Sequence, residues 1–234
     1  MRPGFGQFQV ASEEYLLFAQ QFGATDILFN TPLIPGDGGK WQLQDLVKLR
    51  LRVEQFGMKL SALENVPTSF YDHIMLNGPR RDEQIENMIA TVRNMARAGI
   101  PIFGYNWMPS HVWRTPPALI RGGALATAYD HALGSKYPLT HGREYSEEEM
   151  WQNLEHWIKI ITPVAEEEGI RLGIHPCDPP VDKLGGIPQL LRSFDSYKRL
   201  IEIYPSDSNG IEFCQGTFSE MNDDIYEMID YFAS

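Results

Sequence analysis

The 234-residue sequence contains only two cysteines, Cys177 and Cys214. Two thiols in a chain of this length are no disulfide framework, which leaves them for packing or for a metal. No apolar run approaches the ~18 residues of a membrane span, and the start Met1-Arg2-Pro3-Gly4 lacks the apolar core of a signal peptide. The chain is therefore expected to be cytoplasmic and to engage no membrane. Basic residues are scarce: 20 Lys and Arg stand against 31 Asp and Glu, a formal net charge of −11. With no basic cluster interleaved with aromatics, nucleic acid is excluded as the expected partner. The same charge gives no long-range pull on an anionic substrate, which would need a local Arg or Lys at the mouth of its site. No Gly-rich phosphate loop follows any predicted strand, so a nucleotide-binding sheet has little support.

What is present suffices for one buried core: 43% of residues are hydrophobic and 12% aromatic. Strand-like runs and helical periodicity alternate throughout, the mark of βα units around a parallel sheet. Predicted strands cover Gly4–Val10, Asp26–Asn30, Lys59–Val66, Ile100–Asn106, Arg171–His175 and Ile211–Cys214. Predicted helices run from Ser12 to about Gly23, over Gln42–Phe56, Arg81–Ala98, from the cap Ser146 to Gly169, over Phe194–Tyr204 and over Asn222–Phe232. Helices ending in Gly just before the next strand point to an α/β fold of the (β/α)₈ TIM-barrel type. About six of eight units are present, so residues 1–234 read as a single partial barrel domain whose first and sixth strands keep open edges. The sequence thus resembles the N-terminal part of a longer protein. One long segment, Trp107–Tyr145, separates the fourth strand from the next helix. It holds Trp107, His111, Trp113, Arg114, Tyr129, His131 and His141, too aromatic for a solvated linker. It is expected to form a lid over the strand ends.

The most informative stretch is Ile174-His175-Pro176-Cys177-Asp178-Pro179-Pro180. Three prolines in five residues end a strand and fix the turn after it. His175 is then the last side chain of a strand, at the edge where active sites of parallel α/β proteins sit. A histidine there can equally be capped by a backbone carbonyl. Cys214 closes the next predicted strand, and a free cysteine usually just packs. In a strand, alternate residues share a face, so Cys214 and Glu212 point together, with Glu212 one layer deeper. Imidazole, thiolate and carboxylate suit a first-row divalent ion. Cys177, in the turn, is expected to face outward. Glu64, with Asn65 before Pro67, and Asn106 end two further strands, where substrate contact and ordinary loop hydrogen bonds compete. Arg114, between Trp113 and Thr115-Pro116-Pro117, could be aimed at an anion or held in a surface salt bridge. His73, His131, His141 and His156 have no partners suggested by spacing.

Several segments taken together resemble the D-mannonate dehydratase family, of the xylose-isomerase-like barrel type: Ala62-Leu63-Glu64-Asn65-Val66-Pro67, Gly104-Tyr105-Asn106-Trp107-Met108-Pro109, Thr162 to Leu172 running into His175-Pro176-Cys177-Asp178-Pro179-Pro180, and Phe213-Cys214-Gln215-Gly216-Thr217. The resemblance covers nearly the whole chain in order. It implies dehydration of D-mannonate to 2-dehydro-3-deoxy-D-gluconate in hexuronate (glucuronate) catabolism, a lyase reaction on a small-molecule sugar acid. It implies Mn²⁺, or Fe²⁺ or another first-row divalent ion, with His175 and Cys214 as ligands. Glu64, Asn106, Trp107 and Arg114 are the expected substrate contacts. The family's two further ligands, a histidine and an aspartate on the last two strands, have no counterpart here, and no residue is singled out as general acid or base. The chain as it stands is therefore expected to be a poor catalyst. Another metal-dependent sugar isomerase or epimerase on the same barrel, or a catalytically incomplete fragment, is the competing reading. Self-association into a homo-oligomer stays open.

Overall fold

The computed structural model describes residues 2–233; Met1 and Ser234 lie outside them. Strand β1 (Gly4–Phe8) leads to α1 (Glu13–Gln21), β2 (Asp26–Asn30), α2 (Leu43–Glu54) and β3 (Lys59–Asn65). The short α3 (Asp72–Met75) precedes α4 (Arg81–Ala98) and β4 (Ile102–Asn106). A hairpin of β5 (Thr115–Leu119) and β6 (Leu125–Ala128) and a single turn, α5 (His131–Gly134), fill the long insertion. Then come α6 (Glu147–Glu168) and β7 (Arg171–His175), a two-residue hairpin β8 (Lys183–Leu184) and β9 (Ile187–Pro188), and α7 (Phe194–Ile203). The chain closes with β10 (Asn209–Ile211), α8 (Gln215–Ser219) and α9 (Ile225–Ala233).

Local chemistry accounts for the boundaries. Ser146 accepts a hydrogen bond from the Glu149 N–H at 3.1 Å, three glutamates follow in the first turn of α6, and Gly169 ends the helix in the left-handed region with φ 67°. Pro163 lies inside α6 and removes one backbone hydrogen bond. Burial of Trp151, Leu154, Trp157, Ile158, Ile161 and Ala165 along the same helix outweighs that loss.

Six strands form one parallel sheet in the order β1-β2-β3-β4-β7-β10, so β1 and β10 carry the open edges. The sheet is strongly curved. Glu64 on β3 and Glu212 just after β10 are three strands apart, roughly 14 Å along a flat sheet. Their carboxylates nevertheless lie within 4.8 Å of each other. Only an arc bent as in a barrel brings them together. The helices pack on the convex side over a continuous core that includes Phe29, Trp41, Phe103, Trp157 and Leu200. No described helix is long and apolar enough to cross a membrane.

The insertion has structure of its own, with β5 and β6 pairing across Thr115↔Ala128 and Leu119↔Leu125. Two expectations need correction. The last strand is Asn209–Ile211 rather than Ile211–Cys214. Asn209 anchors it by donating to the carbonyls of Leu200 and Tyr204, while a tight turn, Cys214 N–H to Glu212 O at 2.8 Å, breaks the strand before Cys214 and makes that residue the N-cap of α8. Cys177 does not face outward but is fully buried, because the chain returning past Leu191 covers it and accepts its N–H at 2.9 Å.

Candidate metal and substrate site

Glu64, Asn106 and His175 lie at the carboxyl ends of their strands, and Glu212 just past the end of β10. Asn106 and His175 are register partners on β4 and β7, and Asn30 and Asn65 on β2 and β3. The Glu212 N–H continues the ladder by bonding the Ile174 carbonyl at 3.1 Å, which places Glu212 beside His175. One donor atom each from Glu64, His175 and Glu212 lie mutually within 4.8 Å. Gly104 makes this possible. A Cβ there would stand 2.6 Å from the Glu64 carbonyl oxygen and 2.8 Å from Glu212 Oε2, so only glycine leaves room for Glu212 to cross the concave face.

The charges of the cluster are interdependent. Burial, and then the neighbouring Glu64 carboxylate, push Glu212 up to about 8. Glu64, 3% exposed, is likewise raised by burial, against the opposing pull of His175 and of a hydrogen bond from Gln7. Burial and the closeness of the two carboxyl groups thus both favour a proton on this pair. His175 Nδ1 donates to the Pro176 carbonyl at 2.8 Å, which turns Nε2 toward the cluster. Burial alone would lower the His175 pKa, but its hydrogen bond to Cys214 and the Glu212 charge hold it up to about 9. The same hydrogen bond lowers Cys214 to about 7 against partial burial, and Thr217 Oγ1 lies 3.4 Å from its sulfur. Cys214 therefore flanks His175 as a thiolate-prone group beside the three clustered side chains. A buried and a half-buried carboxylate, an oriented imidazole and an adjoining low-pKa thiol form a donor set that fits a first-row divalent ion. Cys177, by contrast, is raised to about 12 by burial and supplies no thiolate.

The remaining predicted residues are distributed as follows. Asn106 donates to Asn65 Oδ1 at 2.8 Å and accepts from the Met108 N–H at 3.1 Å. Trp107 is fully buried, and its indole N–H finds no acceptor among the described residues. Arg114 grips Asp178 with two hydrogen bonds of 2.8 and 2.7 Å, tying the insertion to the turn after β7. Backbone bonds from Thr140 to Gly185 and from Tyr145 to Gly186, 3.0 and 2.9 Å long, hold the rest of the insertion against the same region. Sequence reasoning missed Gln7 and Asn30, whose amides reach Glu64 at 2.7 and 3.3 Å. The one signal available was an amide side chain at the end of each early strand.

The comparisons with known proteins agree in direction. The family model of D-mannonate dehydratase (UxuA) matches residues 12–141 and 132–234. The mannonate dehydratase of Streptococcus pneumoniae (strain 70585) is 30% identical over 249 residues, covering 95% of this chain and 66% of that protein. That of Streptococcus agalactiae serotype Ia is 32% identical over 232 residues, covering 88% of this chain and 65% of its own. The crystal structure of mannonate dehydratase from Streptococcus suis serotype 2 superposes with a TM-score of 0.87 at 29% identity, over 99% of this chain and 68% of that one. A xylose isomerase-like TIM barrel protein from Mycobacterium smegmatis, at 12% identity and TM-score 0.57, shares the fold. The six-stranded arc is accordingly part of a TIM barrel, and the chain spans about 66% of the length of the first curated relative.

Proposed function

From the membership of this chain in the mannonate dehydratase (UxuA) family, we propose that it carries the metal-binding arc and the insertion of an enzyme that removes water from D-mannonate to give 2-dehydro-3-deoxy-D-gluconate in hexuronate breakdown. The observation that carries the reading is the convergence of Glu64, His175 and Glu212 within 4.8 Å at the carboxyl-end rim, with Cys214 near His175.

His175 and Cys214, with Glu64 and Glu212 beside them, would hold a divalent ion, Mn²⁺ or Fe²⁺ being the expected choice. Such an ion supplies Lewis acidity toward the carboxylate and adjacent hydroxyl of a sugar acid. The chain's own groups do the rest of the work visible here. Burial and the Glu64 carboxylate favour the neutral, protonated form of Glu212, and a divalent cation would take the place of that proton. His175 is fixed in orientation by Pro176, so its Nε2 needs no reorganisation. Asn106 presents a fixed amide at the rim, and Trp107 forms a dry wall behind it. The insertion 107–145 acts as a lid, with Arg114 placed to exchange Asp178 for a substrate carboxylate.

The test joins the chain to the C-terminal third of the Streptococcus suis relative and assays it with D-mannonate and Mn²⁺. A metal-dependent 2-keto-3-deoxy acid is the expected product, and the 234-residue chain alone should give little of it. Aldose–ketose exchange without dehydration, or no reaction in the joined protein, overturns the reading.

A further inference from the structure

Strand β1 carries an irregularity with a direction. Its register against β2 runs Phe5↔Ile27 and then Phe8↔Phe29, so two residues of β1, Gly6 and Gln7, stand opposite Leu28 alone. This is a β-bulge, and bulges re-aim side chains. Regular alternation would put Gln7 on the same side as Phe5. Instead Phe5 and Phe8 both turn to the helical layer, with ring centroids 5.8 Å apart, and Gln7 turns to the concave face. Gln7 adopts φ 71°, left-handed backbone that a non-glycine residue occupies at a cost. Gly6 permits the crossing, because a Cβ there would meet the Leu28 carbonyl at 2.8 Å.

The side chain so turned ends a chain of amides that all point one way. The Met108 N–H donates to Asn106 Oδ1, Asn106 to Asn65 at 2.8 Å, and Asn65 to Asn30 at 3.2 Å. Asn30 divides its donation between Gln7 Oε1 at 3.4 Å and Glu64 Oε1 at 3.3 Å, and Gln7 Nε2 donates to Glu64 Oε2 at 2.7 Å. Four strand ends thus deliver two N–H donors to the two oxygens of one buried carboxylate. We propose that Gln7, aimed by the β1 bulge, is a positioning residue that fixes the Glu64 carboxylate beside His175 and Glu212, as the last link of this amide chain. The inference rests on the metal site proposed above. Because the donors are neutral, they orient Glu64 without discharging it, and its charge stays available to a cation.

Gln7→Gly separates positioning from folding. Glycine relieves the left-handed backbone, so Tm should hold or rise, whereas loss of the amide should weaken Mn²⁺ binding about tenfold or more by titration followed with electron paramagnetic resonance. Gln7→Leu should weaken binding equally and keep Tm within a few degrees of wild type, since Gln7 is exposed at the sheet edge. Wild-type affinity in both variants, while the parent chain binds Mn²⁺, overturns the inference and leaves the metal site standing. Failure of the parent chain to bind Mn²⁺ counts against the metal site instead. Metal-free crystal structures of the parent and Gln7→Gly then decide: the Glu64 carboxylate should leave its place beside Glu212 in the variant, and an unmoved Glu64 overturns the inference.

Discussion

Glu212 reaches Glu64 through the space left by the missing side chain of Gly104, with Oε2 only 2.8 Å from where a Cβ would be. A fixed backbone atom, the Glu64 carbonyl oxygen, closes the other side at 2.6 Å, so no small rotation relieves the crowding. Gly104→Ala should therefore displace Glu212 and destabilise the chain by about 1–3 kcal/mol. Mn²⁺ affinity should fall at least tenfold. Denaturant unfolding and metal titration measure the two effects, and an alanine variant with parental affinity would remove Glu212 from the site.

The thiol of Cys214 should react far below the pH of an ordinary cysteine. Its hydrogen bond from His175 lowers it to about 7, so thiolate, and with it alkylation by iodoacetamide, should rise with pH through a midpoint near 7 in metal-free protein. Replacing His175 by alanine removes that partner, and the midpoint should move up toward the ordinary 9.0. Cys177 supplies an internal control: buried and pushed up to about 12, it should stay unmodified until the chain unfolds. Peptide mapping after timed alkylation distinguishes the two sites.

Much of this was legible before any coordinates. Strand Asp26–Asn30, helix Arg81–Ala98 and strand Arg171–His175 have the predicted bounds, because glycine stops and proline blocks are local devices that report on themselves. His175 was legible as the last residue of its strand for the same reason. Cys214 is assigned to the strand itself because alternation cannot see the tight turn from Glu212 to Cys214 that breaks the strand before it. Cys177 was misjudged since its burial depends on the chain returning past Leu191, a contact beyond any local pattern. Gln7 offered only an amide near the end of its strand, with nothing local to say where it points. A bulge in β1 is defined only against its partner β2, and Glu64 is reached only when the sheet curves.

Arg114 and Asp178 join the insertion to the turn after β7 with side chains 37% and 20% exposed. A pair this exposed contributes little to global stability, about 1 kcal/mol or less. Its local effect should be larger, since it ties the residue that leads into β5 to the turn that follows His175. Arg114→Ala should leave the unfolding midpoint within a few degrees but speed tryptic cleavage at Arg121, in the connection between β5 and β6, several-fold. In the joined protein the same variant should raise KM for D-mannonate more than it lowers kcat, the signature of lost carboxylate binding. An unchanged cleavage rate and an unchanged KM would together make Arg114 an ordinary surface residue.

Metal binding should depend steeply on pH, with a sign fixed by the protons that must leave. Glu212 at about 8, His175 at about 9 and Cys214 at about 7 all stay largely protonated below neutrality. A divalent ion needs the carboxylate, the neutral imidazole and the thiolate, so each bound ion releases protons. Affinity should therefore rise as pH goes from 6 to 8, by up to about tenfold per pH unit for each proton released, and level off once these groups are deprotonated. Mn²⁺ titrations at several pH values give the slope, and a weakly buffered indicator dye counts the protons. Glu212→Gln removes one of them and should flatten the slope by about one proton per ion while lowering affinity at pH 8. A slope that stays near zero in the parent chain would show that none of the three groups meets the ion.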